Sequence, residues 1–174
     1  CEVEGESATL EQFVSRLIAQ PPALAVIESV EQSTVAPTGE PGFVIVGSSG
    51  AVAADGRPVA LVPPDTATCA DCLAEMRDPD DRRHRYPFIA CTFCGPRFTI
   101  VRGVPYDREF TTMDRFTLCG PCQAEYDDPA DRRFHAQPTA CPDCGPQLSY
   151  RTQRGATPTT GDAALAAAMR LLRD

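Results

Sequence analysis

The feature that most constrains this chain is a cysteine pattern written twice. Eight of its nine cysteines form four C-x2-C pairs, Cys69/Cys72, Cys91/Cys94, Cys119/Cys122 and Cys141/Cys144. Eighteen residues separate the pairs within each half, and 24 separate the halves. "CADCLAEMRDPDDRRHRYPFIACTFCGP" aligns without a gap on "CGPCQAEYDDPADRRFHAQPTACPDCGP". Both copies keep an A-E, a D-P, a D-R-R, an Ala before the third Cys and a Gly-Pro after the fourth. This is an internal repeat with a period of 50.

The x2 spacing lets two thiolates from one tight turn face one point, about 2.3 Å from a Zn²⁺ ion, and two such turns complete a tetrahedron. Zinc held by Cys69, Cys72, Cys91, Cys94, Cys119, Cys122, Cys141 and Cys144 is therefore the expected chemistry. Disulfides fit poorly with four close pairs and no secretion signal. A redox C-x-x-C normally appears once, after a strand. Iron–sulfur cysteines usually carry other spacings. These three stay as alternatives. Cys1 has no partner in sequence. Four Cys per site leave zinc no open position, so two structural ions are expected. Four pairs can close two sites in three ways. A duplicated unit should carry its own complete site, so sequential pairing is expected, with the shorter loop a weaker argument for it.

Around the cysteines, "LAEMRD" and "QAEYDD" read as short helices stopped by Pro79 and Pro129. Gly95 and Gly145 stand where the backbone is expected to need positive φ. Arg82, Arg83, Arg132 and Arg133 are expected to pair with nearby acids. His84 and His135 read as solvated or locally hydrogen-bonded loop residues.

Residues 1–68 hold nine acids, two Arg and one Cys, and form a different region. "CEVEGE" reads as a short strand. "ATLEQFVSRLIAQ" sets Leu10, Phe13, Val14, Leu17 and Ile18 on one helical face, ended by Pro21 and Pro22. "ALAVIESVEQSTV" and "GFVIVGS" read as strands. The order resembles part of a ferredoxin-like α+β sandwich. At the far end "TTGDAALAAAMRLLRD" reads as a helix capped by Thr160 or Asp162, with Leu165, Met169 and Leu172 on its face. Both ends read as cuts through domains, so a fragment of a longer chain is expected.

Charge narrows the functions. The chain has 174 residues, a net charge of −8, and no Lys among its 16 basic residues. Eight thiolates around two Zn²⁺ ions add about four negative charges more. An acidic module is a poor partner for a phosphate backbone, so nucleic acid is not expected. No run of about 18 apolar residues spans a membrane, and the first residues are no signal peptide. A cytoplasmic setting is expected.

The repeat, together with "RYPFIACTFCGPRFTI", "VPYDREFTTMDRF" and "DPADRRFHAQPTACPDCGP", resembles the HypF-type hydrogenase-maturation carbamoyltransferases. The resemblance divides the chain into four. Residues 1–50 would end an acylphosphatase-like domain, and 51–68 would be a linker. Residues 69–150 would be the duplicated zinc-finger module, with fingers at 69–98 and 119–148. Residues 151–174 would be a linker and the first helix of a YrdC-like domain. It implies a parent enzyme that uses carbamoyl phosphate and ATP to carbamoylate the C-terminal Cys of a HypE-type partner. It places no catalytic residue here, because the Arg-bearing acylphosphatase loop and the nucleotide-binding motifs do not occur in this sequence. A chaperone-like protein-binding zinc module is the first alternative, weakened because Pro follows the Gly after the fourth Cys of each unit, and a nucleic-acid-binding zinc protein is the second, disfavoured by the acidic balance.

Overall fold

The computed structural model describes residues 1–22, 24–46, 62–152 and 156–173. The chain separates into two units, Cys1–Gly47 and Ser48–Asp174.

The first unit carries one helix, α1, Ser7–Ala19. Arg16 lies in its last turn, where a cation complements the helix dipole. Pro21 and Pro22 then prevent continuation. Leu10, Val14 and Leu17 are half-covered, whereas Phe13 and Ile18 are exposed, and no residue of the helix is buried. Glu4 ties the unit's two ends, accepting the Thr38 N–H at 2.5 Å, its hydroxyl at 2.7 Å and the Gly39 N–H at 3.0 Å. The strands expected over 1–6, 24–35 and 42–46 form no ladder among the described residues, so this part of the expected order is corrected. Alternating apolar residues make a strand only beside a partner backbone, and Val26, Val44 and Val46 here are exposed. Ala23 and residues 47–48 of those stretches lie outside the described residues.

The second unit is built on the repeat. Helix α2, Ala70–Arg77, and helix α3, Gly120–Asp127, occupy equivalent places. Cys69 and Cys119 are their N-caps, so each first C-x2-C pair lies on a first helical turn. Asp78 and Asp128 end the helices, and their carboxylates accept the N–H groups of Asp80 and Ala130. The next loop returns through a residue in the left-handed region, Arg85 (φ 58°) in one copy and His135 (φ 49°) in the other. Their N–H groups bond back to the Met76 and Tyr126 carbonyls of α2 and α3.

Residues 101–118 connect the copies as a pinched loop. Val101 bridges Thr111, and Arg102 donates to the Phe110 carbonyl. Beyond the second copy, β1 (Ser149–Tyr150) pairs antiparallel with β2 (Thr159–Thr160), and α4 (Gly161–Arg173) packs on both strands. The covered face of α4 runs over Ala164, Leu165, Ala167 and Ala168, while Met169 and Leu172 are exposed. Of the expected apolar face only Leu165 is covered, because small alanines let the helix lie close to the strands.

The buried core is small. Among the described residues its main cluster is Cys72, Tyr86, Ile89, Cys91, Cys94, Ile100, Met113 and Ala140. Three of these eight are cysteines, so packing alone gives this unit little apolar interior.

Candidate metal centres

The eight paired cysteines gather into two clusters, Cys69/Cys72/Cys91/Cys94 and Cys119/Cys122/Cys141/Cys144. Within each, all sulfurs lie within 4.8 Å of one another. The grouping is sequential: each repeat closes its own cluster. Cys1 is exposed and belongs to neither.

The sulfur spacing tests the chemistry. Four sulfurs about 2.3 Å from a central ion stand about 3.8 Å apart in a regular tetrahedron, whereas a disulfide is about 2.05 Å long. In the first cluster Cys69–Cys91, Cys91–Cys94 and Cys94–Cys72 are 3.8, 3.7 and 3.5 Å apart. In the second, Cys119–Cys141, Cys141–Cys144 and Cys144–Cys122 are 3.7, 3.7 and 3.6 Å apart. The donors therefore fit a tetrahedral, thiophilic ion. All eight cysteines are free of disulfides.

One backbone donor favours the thiolate at Cys91. The Phe93 N–H points at the Cys91 sulfur at 3.3 Å. Contact with the Cys72 thiol, and then the Phe93 N–H, hold Cys91 down at about 5, while Cys72 is pushed up in exchange. Burial pushes Cys122 up to about 12, against the Arg82 guanidinium beside it.

Arginines supply the outer layer, and they cross between the repeats. Arg82 and Arg83 belong to the first repeat but reach the second. Both Arg82 terminal nitrogens lie 3.3 Å from the Cys122 sulfur, and Arg83 Nη2 lies 3.5 Å from it. Arg83 grips Glu125 through two bonds of 2.9 and 2.5 Å, and its Nε donates to the Ala140 carbonyl at 2.9 Å. Arg82 meets Glu125 at 2.6 Å. The second repeat returns the arrangement. Arg132 donates to the Cys72 sulfur at 3.2 Å and reaches Cys69 at 3.8 Å. Arg132 also bonds Glu75 at 3.0 Å, Arg133 pairs with the same carboxylate, and Arg133 Nε donates to the Ala90 carbonyl at 3.2 Å. Burial alone would raise the Glu125 carboxyl, yet the Arg83 and Arg82 guanidiniums hold it at about 2.

The expectation that these arginines pair with nearby acids needs correction. The adjacent Asp81 and Asp131 carboxylates accept backbone N–H groups of Arg83 and Arg133 instead. The shorter guanidinium contacts go to Glu125 and Glu75 of the opposite repeat, and Arg133 also reaches Glu125 of its own repeat at 3.9 Å. The signal was present in the sequence: the A-E and the D-R-R are kept together in both copies, as reciprocal partners would be.

Two further cations, Arg97 buried and Arg108 half-buried, carry no signal in the cysteine spacing. Arg97 donates to the carbonyls of Cys91, Thr92, Cys94 and Pro96, at 2.8–3.0 Å, and so frames the second knuckle of the first cluster. Arg108, from the connecting loop, donates to the carbonyls of Gln137 and Thr139 at 2.6 and 3.0 Å and of Phe116 at 2.7 Å. None of these acceptors carries charge. Counted formally, six guanidiniums stand against Glu75, Glu125 and two metal–tetrathiolate dianions, which cancel. Neutral thiols would leave this set, in which Arg83, Arg97 and Arg133 are buried, short of counter-charge.

The glycines after the fourth cysteines differ in cause. Gly95 has φ +91°, and a Cβ there would also meet the Ala90 side chain at 2.7 Å. Gly145 lies outside the positive-φ region, correcting the expectation for it. It is glycine for space: a Cβ would fall on the Tyr86 hydroxyl and 2.5 Å from the Ala140 Cβ. Nor are the histidines solvated loop residues. His135 packs against the Tyr126 and Phe134 rings, each centroid 4.7 Å away, and His84 Nδ1 is buried without a hydrogen-bond partner.

Two four-cysteine clusters on duplicated knuckle–helix–loop–knuckle units define the class: a tandem zinc-finger module. The family match makes it specific. The model of the HypF finger matches residues 68–101 and 118–150. The two repeats are HypF fingers by this match. It is 49% identical over 109 residues to a protein of Rhodobacter capsulatus named carbamoyltransferase HypF, covering 63% of this chain and 14% of that one. It is 46% identical over 108 residues to a probable carbamoyltransferase HypF of Methanocaldococcus jannaschii, covering 62% and 14%. The crystal structure of T. kodakarensis HypF superposes with a TM-score of 0.77 at 41% identity, over 97% of this chain and 20% of that one. A full-length HypF in a phosphate- and nucleotide-bound form gives 0.80 at 41% identity, over 97% and 21%. The chain thus spans 14% of the length of the curated relatives it matches.

Proposed function

We propose that this chain is the structural zinc-finger region of a carbamoyltransferase that acts in NiFe-hydrogenase maturation. The observation that carries the reading is the pair of four-cysteine clusters with tetrahedral sulfur spacing, on repeats that match the HypF finger. Cys69, Cys72, Cys91 and Cys94 would hold one Zn²⁺, and Cys119, Cys122, Cys141 and Cys144 the other. When bound, such an ion supplies four strong bonds and no open coordination position, so its contribution is folding free energy rather than reaction chemistry. The chain's own residues hold the thiolates in place. The carbonyls framed by Arg97 fix one knuckle, α2 and α3 fix the first pairs, and Arg82 and Arg132 donate to sulfur.

The relatives' name supports the larger reading. The protein containing this region would use carbamoyl phosphate and ATP to carbamoylate the C-terminal cysteine of a HypE-type partner in the cytoplasm. No catalytic residue falls in this stretch. Residues 1–50 would belong to an acylphosphatase-like domain, 51–68 to a linker, 69–150 to the zinc-finger module and 151–174 to the entry of a YrdC-like domain. The experiment is carbamoyl transfer by the longer protein containing this chain, read as a mass increase on the HypE-type cysteine that depends on both carbamoyl phosphate and ATP. A HypE-type partner left unmodified under those conditions contradicts the reading.

A further inference from the structure

The crossing of the arginines has no counterpart in a picture of two independent fingers. Each D-R-R loop turns its guanidiniums away from its own cluster. Arg82 and Arg83 lie within 3.5 Å of the Cys122 sulfur, and Arg132 lies 3.2 Å from the Cys72 sulfur. Glu125 and Glu75 hold the arginine pairs from the helix that bears the targeted cysteine. Cys122 and Glu125 are three apart on α3, and Cys72 and Glu75 three apart on α2, so each pair shares one helical face. The loop of one repeat therefore docks on a thiolate-plus-carboxylate face of the other. Two further contacts reinforce the joint: the Thr92 N–H bonds the Arg132 carbonyl at 3.1 Å, and Tyr86 Oη donates to the Pro146 carbonyl at 3.2 Å.

All four arginines open on one polar cleft of about 680 Å³. Each already has a carboxylate, and three of them also a sulfur, as partner. The cleft is accordingly no free anion site, and its arginines serve the clusters.

We propose that each finger provides the outer coordination shell of the other finger's metal, with Arg132 holding the Cys72 thiolate and Arg82 the Cys122 thiolate, so that neither metal is retained fully without the opposite loop. This rests on the reading that the four-cysteine clusters hold zinc. A donor to a metal-bound thiolate spreads its negative charge and resists its protonation and departure. Loss of such an outer partner typically costs about 10–100-fold in metal affinity. Glutamine at either position keeps polarity and removes the charge and the guanidinium fork.

The test uses the full zinc-loaded chain. Wild type, Arg132→Gln and Arg82→Gln are challenged with a chelator in the presence of iodoacetamide. Initial labelling rates are then mapped to individual cysteines by mass spectrometry. Arg132→Gln is expected to speed labelling of Cys69 and Cys72, in the other finger, by roughly 10-fold or more, with Cys119 and Cys122 near the wild-type rate. Arg82→Gln is expected to do the reverse, and Arg132→Lys to recover part of the loss. Faster labelling confined to the mutated finger, equal acceleration of both clusters, or no change in either overturns the crossed shell while leaving zinc binding intact. Absence of zinc from the wild-type chain overturns both readings.

Discussion

Replacing Glu125 by Gln removes the anion on which one arginine pair converges. Arg83 is 1% exposed and spends both terminal nitrogens on this carboxylate, and Arg82 adds a contact of 2.6 Å. After the change Arg83 keeps the Ala140 carbonyl and the Cys122 sulfur but loses its full counter-charge. Breaking a buried ion pair by removing one partner costs about 3–5 kcal/mol. The Glu125 side chain is 20% exposed, so the low end, about 3 kcal/mol, is expected here. That is about two decades in the folding equilibrium. Urea unfolding of the zinc-loaded chain measures it as a lower midpoint with unchanged slope. The pH dependence follows from the depressed carboxyl. A carboxylate held at about 2, below its ordinary 4.5, contributes fully above about 4.5 and loses that contribution as pH falls toward 2. The gap between wild type and Glu125→Gln should therefore stay flat from about pH 8 to pH 5. A cost below about 1 kcal/mol, the worth of an exposed pair, would refute the claim that the crossed pairs form a buried joint.

Other perturbations follow from the same geometry. Cys94→Ala should bring bound zinc close to one ion per chain, with the cysteines from Cys119 to Cys144 alkylated far more slowly than Cys69, Cys72 and Cys91 yet faster than in wild type, since each repeat closes its own cluster but takes an outer donor from the other. Gly145→Ala should cost about 1–3 kcal/mol in thermal or urea unfolding, because its Cβ collides with Tyr86 and Ala140. Tyr86→Phe should recover part of that loss by removing the hydroxyl it strikes. Arg97→Met, which strips four carbonyls of their donor, should speed chelator-driven labelling of Cys91 and Cys94 ahead of the second cluster.

Much of the metal module was legible because its determinants are local. The C-x2-C spacing, the prolines that stop α2 and α3, and the repeat all act within a few residues. What lay across the repeats was harder to see. Spacing alone does not say whether Arg82 finds Asp81 next door or Glu125 in the other copy; that depends on how the copies dock. Gly145 looked like a conformational glycine because Gly95, its counterpart, is one. Its actual cause, the hydroxyl of Tyr86, is contributed from 59 residues away. In the first unit, apolar alternation around Val26 and Val44 suggested strands. Alternation records a side chain's preference for a half-covered sheet and cannot supply the neighbouring backbone.

The central claim is that two tetrathiolate metal sites hold this module folded in place of a large core. Elemental analysis of the purified chain, paired with circular dichroism before and after a strong chelator, tests it in one preparation. The account expects about two zinc ions per chain and loss of the ordered module's signal on chelation, recovered when zinc is restored. A chain that carries no zinc and keeps its spectrum and unfolding midpoint in chelator would contradict it.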